Sequence, residues 1–182
     1  MSPRPAIWTV GHSTRQIGEF TDLLRAHEIH LLVDVRTIPR SRHNPQFNEN
    51  RLAGSLKGAG LLSLHMPALG GLRKARKDSI NDGWRNASFR GYADYMQTEE
   101  FRKAIDALMA FGRQEKTTVM CAEAVPWRCH RSLIADALVS RGWDVRHIMS
   151  PEKATQHALT SFAHFEKDTL TYPKPTDPPS LF

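Results

Sequence analysis

The segment Cys121-Ala-Glu-Ala-Val-Pro-Trp-Arg-Cys-His-Arg131 places two thiols, a carboxylate, an imidazole and two guanidinium groups within eleven residues. The run Thr117 to Cys121 before it has strand length. After it, Leu133, Ile134, Ala137 and Leu138 repeat at helical spacing. The segment therefore reads as a strand end, a short loop and the first turn of a helix. Free N–H groups and the dipole at a helix start favour an anion. Arg128 and Arg131 add positive charge beside it. The same field lowers a thiol pKa, which makes Cys121 the candidate nucleophile and the expected more reactive cysteine. Glu123 is the candidate general acid or base. His130, one turn before Ile134, either moves protons or bonds a carbonyl at the core edge. Cys129 stands four residues before Leu133 and is expected to pack as a small hydrophobe.

Two other chemistries fit the residue types less well. Six residues separate Cys121 from Arg128, one more than in the Cys-x5-Arg loop of cysteine phosphatases. Metal binding by Cys121, Cys129 and His130, with His12 or His65 as a fourth ligand, has suitable donors. It lacks a paired Cys-x2-Cys spacing, so no metal ligand set and no stoichiometric zinc or iron–sulfur cluster is expected.

Elements that could position these groups follow from the hydrophobic pattern. Apolar runs at Ala6 to Val10, Leu31 to Val35, Leu61 to His65, Thr117 to Cys121 and Asp144 to Ile148 have strand length, and longer periodic segments separate them. Ser13-Thr14-Arg15-Gln16 is a capping-box pattern ahead of Ile17, Phe20 and Leu24, which predicts a helix to about His27. Asn48 to Lys57 reads as a weaker helix because Gly54 lies inside it. Thr98 precedes Glu99 and Glu100 and the stripe Phe101, Ile105, Leu108 and Met109, a helix ending at Gly112. Gly142 is the expected C-cap of the helix after Cys129. Alternating strands and helices imply an α/β three-layer sandwich with a mainly parallel, Rossmann-like central sheet.

Residues 1–150 are expected to form a single α/β domain. Within it, Met66 to Gly91 reads as an inserted basic loop. Residues 151–182 are Pro-rich at Tyr172-Pro173-Lys174-Pro175 and Asp177-Pro178-Pro179. They are expected to pack over the domain as an extension or to be partly disordered.

Ligands of open parallel sheets bind outside the carboxyl ends of the strands. Those ends are polar here: Gly11-His12-Ser13-Thr14, Asp34-Val35-Arg36, His65, Cys121-Ala122-Glu123 and Arg146-His147. Charge is concentrated in the same region. From Arg36 to Arg90 there are eleven basic residues against three acidic ones, whereas the whole chain has a net charge of +6. Such a surplus attracts an anionic partner. No stretch reaches the ~18 consecutive apolar residues of a membrane span. The N-terminal apolar run is too short for a signal peptide, so a cytoplasmic protein is expected. Two cysteines in 182 residues cannot build a disulfide framework.

Several of these tetrads occur together and in order: Gly11-His12-Ser13-Thr14, Asp34-Val35-Arg36, Pro39-Arg40-Ser41, Asn44-Pro45-Gln46-Phe47, Leu69-Gly70-Gly71, Phe89-Arg90-Gly91-Tyr92, Cys121-Ala122-Glu123, Cys129-His130-Arg131 and Leu170-Thr171-Tyr172-Pro173. The set resembles the family called domain of unknown function 488. That resemblance implies a compact α/β domain with a polar pocket at the strand ends, and it supplies neither a reaction nor a cofactor.

Two functional readings remain. In the first, an enzyme binds a small anionic, phosphate- or nucleotide-containing substrate. Cys121, Glu123, His130 and His12 carry the catalysis, and Ser13, Asp34, Arg36, Arg40, Asn44, Arg128 and Arg131 hold the substrate. In the second, the chain is a nucleic-acid-binding accessory protein with a structural Cys/His cluster. Arg73, Lys74, Arg76 and Lys77 then contact phosphates weakly and without sequence preference. Several different titratable groups on one strand-end edge favour the enzyme.

Overall fold

The computed structural model describes residues 4–175. Its centre is a six-stranded sheet in the order β3-β2-β4-β1-β5-β6. The strands are β1 (Ala6–Gly11), β2 (Leu31–Asp34), β3 (Leu62–His65), β4 (Thr117–Cys121), β5 (Asp144–Ser150) and β6 (Lys153–Gln156). Strands β1 to β5 pair in parallel and β6 runs antiparallel to β5 at the edge. The expected α/β sandwich with a mainly parallel sheet is the fold observed.

Alternation along the central strands explains the three layers. Val10, Leu32, Met120 and Ile148 face one side, where they meet Phe20, Leu23 and Leu24 of α1 (Ile17–Ala26) and Leu52 and Leu56 of α2 (Glu49–Gly58). Ile7, Leu31, Val33, Val119 and Val145 face the other side. They are covered from α3 (Ala87–Tyr95), α4 (Glu99–Gln114) and α5 (Arg131–Val139) by residues including Tyr92, Phe101, Leu108, Leu133 and Leu138.

Helix ends follow local chemistry, with two departures from expectation. Thr98 caps α4 by accepting from the Phe101 N–H, as its spacing predicts, although α4 continues to Gln114 rather than Gly112. Beyond α5, Gly142 has φ +84, and the N–H groups of Gly142 and Trp143 return to the carbonyls of Val139 and Leu138. This is the glycine-dependent turn expected there. The capping box at Ser13 does not form. Ser13 lies in the left-handed region (φ 50), its N–H is held by the Ala122 carbonyl, and α1 starts only after Gln16.

The stretch from Met66 to Gly91 is more ordered than a plain inserted loop. It contains a helical turn at Pro67–Leu69 and the beginning of α3. The Asp94 carboxylate accepts from the Arg76 N–H, the Ser79 hydroxyl and the Asn81 amide, which ties the basic loop to α3. Gly91 is needed because a Cβ there would collide with the Arg73 carbonyl.

Past residue 150, β6 and the hairpin of β7 (His164–Glu166) and β8 (Thr169–Thr171) pack onto the domain. Tyr172 is fully buried, donates from its hydroxyl to Asp136, and gives its N–H to Asn81. Asp177-Pro178-Pro179 lies outside the described residues. Among the described residues no helix is long and apolar enough to cross a membrane.

Candidate functional site

Strands β1 and β4 lie side by side, yet their following helices leave to opposite faces. Helix α1 joins the layer with Val10 and Met120, and α5 joins the layer with Ile7 and Val119. Divergent crossovers between neighbouring parallel strands open a crevice at their carboxyl ends. A cavity of about 570 Å³ occupies it, lined from three strand ends by His12 and Ser13, by Arg36 and by Cys121 and Glu123. Gly11 makes the crevice possible. A Cβ at this position would collide with the Glu123 carbonyl, so only glycine lets the loop after β4 lie against β1.

One wall is a buried polar lattice. Arg36 donates from Nε and Nη2 to the Asp34 carboxylate, from Nη2 to the Phe47 carbonyl, and from Nη1 to Nε2 of His12 at 3.3 Å. His12 stacks on Phe47 and turns its Nδ1 to the Ser13 carbonyl at 2.8 Å. That arrangement assigns the proton to Nδ1 and leaves Nε2 as the acceptor. Burial, reinforced by Arg36, pushes the His12 pKa down to about 4. At neutral pH this ring is uncharged, and both nitrogens are engaged.

The opposite wall carries the sulfur chemistry. Cys121 ends β4, whereas Cys129 and His130 precede α5. The chain returns so that one donor atom from each residue lies within 4.8 Å of the others. Cys129 Sγ and His130 Nδ1 are 3.7 Å apart. Hydrogen bonding from Cys121 holds the Cys129 thiol well below the ordinary thiol range, with help from His130 and Arg131. The same bond, together with burial, pushes Cys121 up. The two thiols are thus pulled apart in acidity, Cys129 down and Cys121 up. Cys121 is nevertheless the sulfur that lines the cavity, and Cys129 is buried.

Eight of the eleven residues singled out from sequence line the cavity: His12, Ser13, Arg36, Arg40, Asn44, Cys121, Glu123 and His130. His12 departs from its expected part in proton transfer, because its engaged nitrogens make it a support for Arg36. The other three residues do not line the cavity. Asp34 is spent on Arg36, with which it forms a buried ion pair at 2.6 Å. Arg131 is buried and donates from Nη2 to the Glu123 carbonyl at 2.6 Å, so it fixes the loop rather than a substrate. Arg128 is exposed on the helical turn Pro126–Arg128.

Thr14, Thr37, Ile38, Ser41, Gly71, Leu72, Ala122 and Ala124 complete the lining, and none of them carries a charge. Thr37, Ile38 and Leu72 come from aperiodic connections outside the quoted tetrads. Ser41 and Gly71 stand within the quoted motifs, Ser41 beside the charged Arg40 and Gly71 beside a second glycine.

The sequence pattern of the family described as Domain of unknown function DUF488 matches residues 16–138. That span contains Arg36, Arg40, Asn44, Cys121, Glu123, Cys129 and His130. No curated protein matches the chain, and no solved structure matches it.

Proposed function

The chain belongs to the DUF488 family, and from the pocket that its matched residues line we propose that it is an enzyme acting on a small anionic molecule, such as a phosphate monoester or nucleotide. One observation carries this reading: Arg40, Glu123, Cys121 and His130 line a single strand-end cavity. Arg40 is exposed and has no ion pair among the described residues, whereas the charge of Arg36 is already opposed by Asp34. A charge pair at 4 Å is worth about 4 kcal/mol at an effective dielectric constant near 20, before desolvation is subtracted. Arg40 is thus the main attractor. Ser13 and Asn44 offer hydrogen bonds beside it. Glu123 is the exposed carboxylate placed to move a proton, and the Cys121–Cys129–His130 group is the reacting end of the pocket.

Calorimetric titration at low salt with inorganic phosphate and with adenosine monophosphate tests the reading. Arg40→Ala is expected to weaken binding about tenfold or more, the usual scale for one lost charged hydrogen bond. Glu123→Gln removes a like charge and is expected to tighten binding while abolishing turnover. Absence of binding, or identical affinity in Arg40→Ala, overturns the reading.

The polyanion-binding alternative draws less support from the basic loop. Arg73 stacks over Tyr95 and Arg76 pairs with Asp78. Lys74 and Lys77 have no ion pair among the described residues, which leaves two of the four for weak phosphate contacts.

A further inference from the structure

We propose that Cys121, Cys129 and His130 hold one thiophilic divalent cation, zinc being the probe of choice, with an open coordination position facing the cavity. Only the use of that open position rests on the reading of the pocket as a substrate site. The metal site itself stands on the geometry of its donors.

Two thiolates and an imidazole are a donor set for zinc and other soft cations and a poor one for magnesium or calcium. With Zn–S near 2.3 Å and Zn–N near 2.0–2.1 Å, neighbouring donors of a tetrahedral site stand about 3.5–3.8 Å apart. Cys129 Sγ and His130 Nδ1 are 3.7 Å apart, and all three donor atoms fall within 4.8 Å of one another. Small side-chain rotations bring the third into range. Sequence spacing argued against a metal because the two cysteines are eight positions apart. The fold removes that objection by returning the start of α5 to the end of β4.

His130 is also set apart from the other buried histidines. His12 uses both ring nitrogens on protein partners, and so does His147. Nε2 of His130 is buried with no hydrogen-bond partner, and its Nδ1 meets only the Cys129 sulfur. A Cβ at Gly71 would come within 3.1 Å of that Nδ1, so glycine there keeps the donor side of the ring uncrowded. No protein acceptor competes for this imidazole among the described residues.

The count and placement of ligands fit a working site better than a purely structural one. Structural zinc sites close with four protein ligands, whereas catalytic sites use three and leave one position for water or substrate. His12 and His65 are unavailable as a fourth. Nε2 of His65 lies 2.8 Å from the Arg36 carbonyl and its Nδ1 lies 3.5 Å from Glu49, while both nitrogens of His12 are engaged. Cys121 and His130 line the cavity, so the open position faces it. Glu123 lines the same cavity two residues beyond Cys121. Zinc deaminases show the chemistry of that spacing: a carboxylate two residues past a ligand serves as acid and base for metal-bound water without ligating the metal.

Elemental analysis should follow dialysis of the reduced, chelator-stripped chain against zinc and then against metal-free buffer. About one zinc per chain is expected to remain, and cobalt in its place should show a thiolate-to-metal charge-transfer band. Cys121→Ser should weaken zinc binding by about a hundredfold or more. His130→Gln provides a second variant if the serine variant fails to fold by circular dichroism. Folded, reduced wild type that retains no zinc overturns the proposal, as does full retention by a folded variant. Phosphate titration of the zinc-free chain tests the anion pocket separately. A chain that takes zinc and ignores phosphate keeps the metal site and loses the substrate reading, and one that binds phosphate but no zinc does the reverse.

Discussion

Two histidine-containing clusters flank the loop after β4, and they differ in whether their polar atoms are satisfied. In one, Thr9 Oγ1 donates to His147 Nδ1, His147 Nε2 donates to His157 Nδ1, and His157 Nε2 donates to Asp136. Asp136 also accepts from the Tyr172 hydroxyl and the Thr160 N–H. The chain closes with no spare ring nitrogen. In the other, Cys121, Cys129 and His130 converge where Cys121 and His130 line an open cavity, His130 Nδ1 meets only the Cys129 sulfur, and its buried Nε2 has no hydrogen-bond partner. Similar residue types thus do different work. A closed network fixes structure, because each polar atom already has its partner. An open cluster retains capacity for a ligand.

The comparison breaks most readily at Asp136. This fully buried carboxylate serves three donors. Asp136→Ala is expected to cost about 3–5 kcal/mol in urea-induced unfolding. Loss of less than about 1 kcal/mol would show that the network is not the structural element described here.

Acid should weaken the same region. Burial, together with His157 and Arg131, pushes the His147 pKa down from 6.5 to about 4. The unfolded chain therefore binds this proton first as pH falls. Stability from this group is complete above pH 6.5 and is lost as pH falls toward 4, with a slope of at most about 1.4 kcal/mol per unit. The total is about 3 kcal/mol at most. Urea midpoints measured across that range should fall, and His147→Gln should flatten the dependence.

Gly11→Ala acts on the cavity side. Its methyl group must displace the Glu123 carbonyl, at an expected cost of about 1–3 kcal/mol. Phosphate affinity should drop with it while the far-ultraviolet circular dichroism spectrum is retained. The smallest effect is expected for His130→Gln in the zinc-free chain, less than about 1 kcal/mol, because the ring has so few polar partners to lose. A large loss there would sharpen the contrast in the opposite direction and make His130 a structural residue.

The legible parts of the sequence were those governed by period. Short apolar runs locate β1 to β5 to within a residue or two, and the polar residues at their ends point to His12, Arg36, Cys121 and Glu123 as neighbours. The less legible parts concerned direction and partner. Asp34 and Arg36 are two residues apart at a strand end, a spacing that could have signalled their ion pair, yet both were assigned to substrate. Arg131 sits in the first turn of α5, where its charge suggested an anion, although it serves the backbone carbonyl of Glu123. Helix α3 was obscured by Gly91, which weakens helical propensity but lets the Arg73 backbone pass. The meeting of Cys121 with Cys129 and His130 depends on the path of the Pro126–Arg128 turn, which no periodicity encodes.

The tie between Asn81 and Tyr172 also imposes an order in time. Asn81 gives its amide to Asp94 and accepts the N–H of Tyr172, so the basic loop is clamped by a residue ninety-one positions later. Gly71 and Leu72, at the start of that loop, line the cavity. During synthesis from the N-terminus, strands β1 to β5 can assemble well before Tyr172 emerges, but this wall of the pocket acquires its last anchor only afterwards. One wall of the cavity is therefore tied, through Asn81, to the late-made end of the chain, although the metal donors proposed for the site lie earlier in sequence.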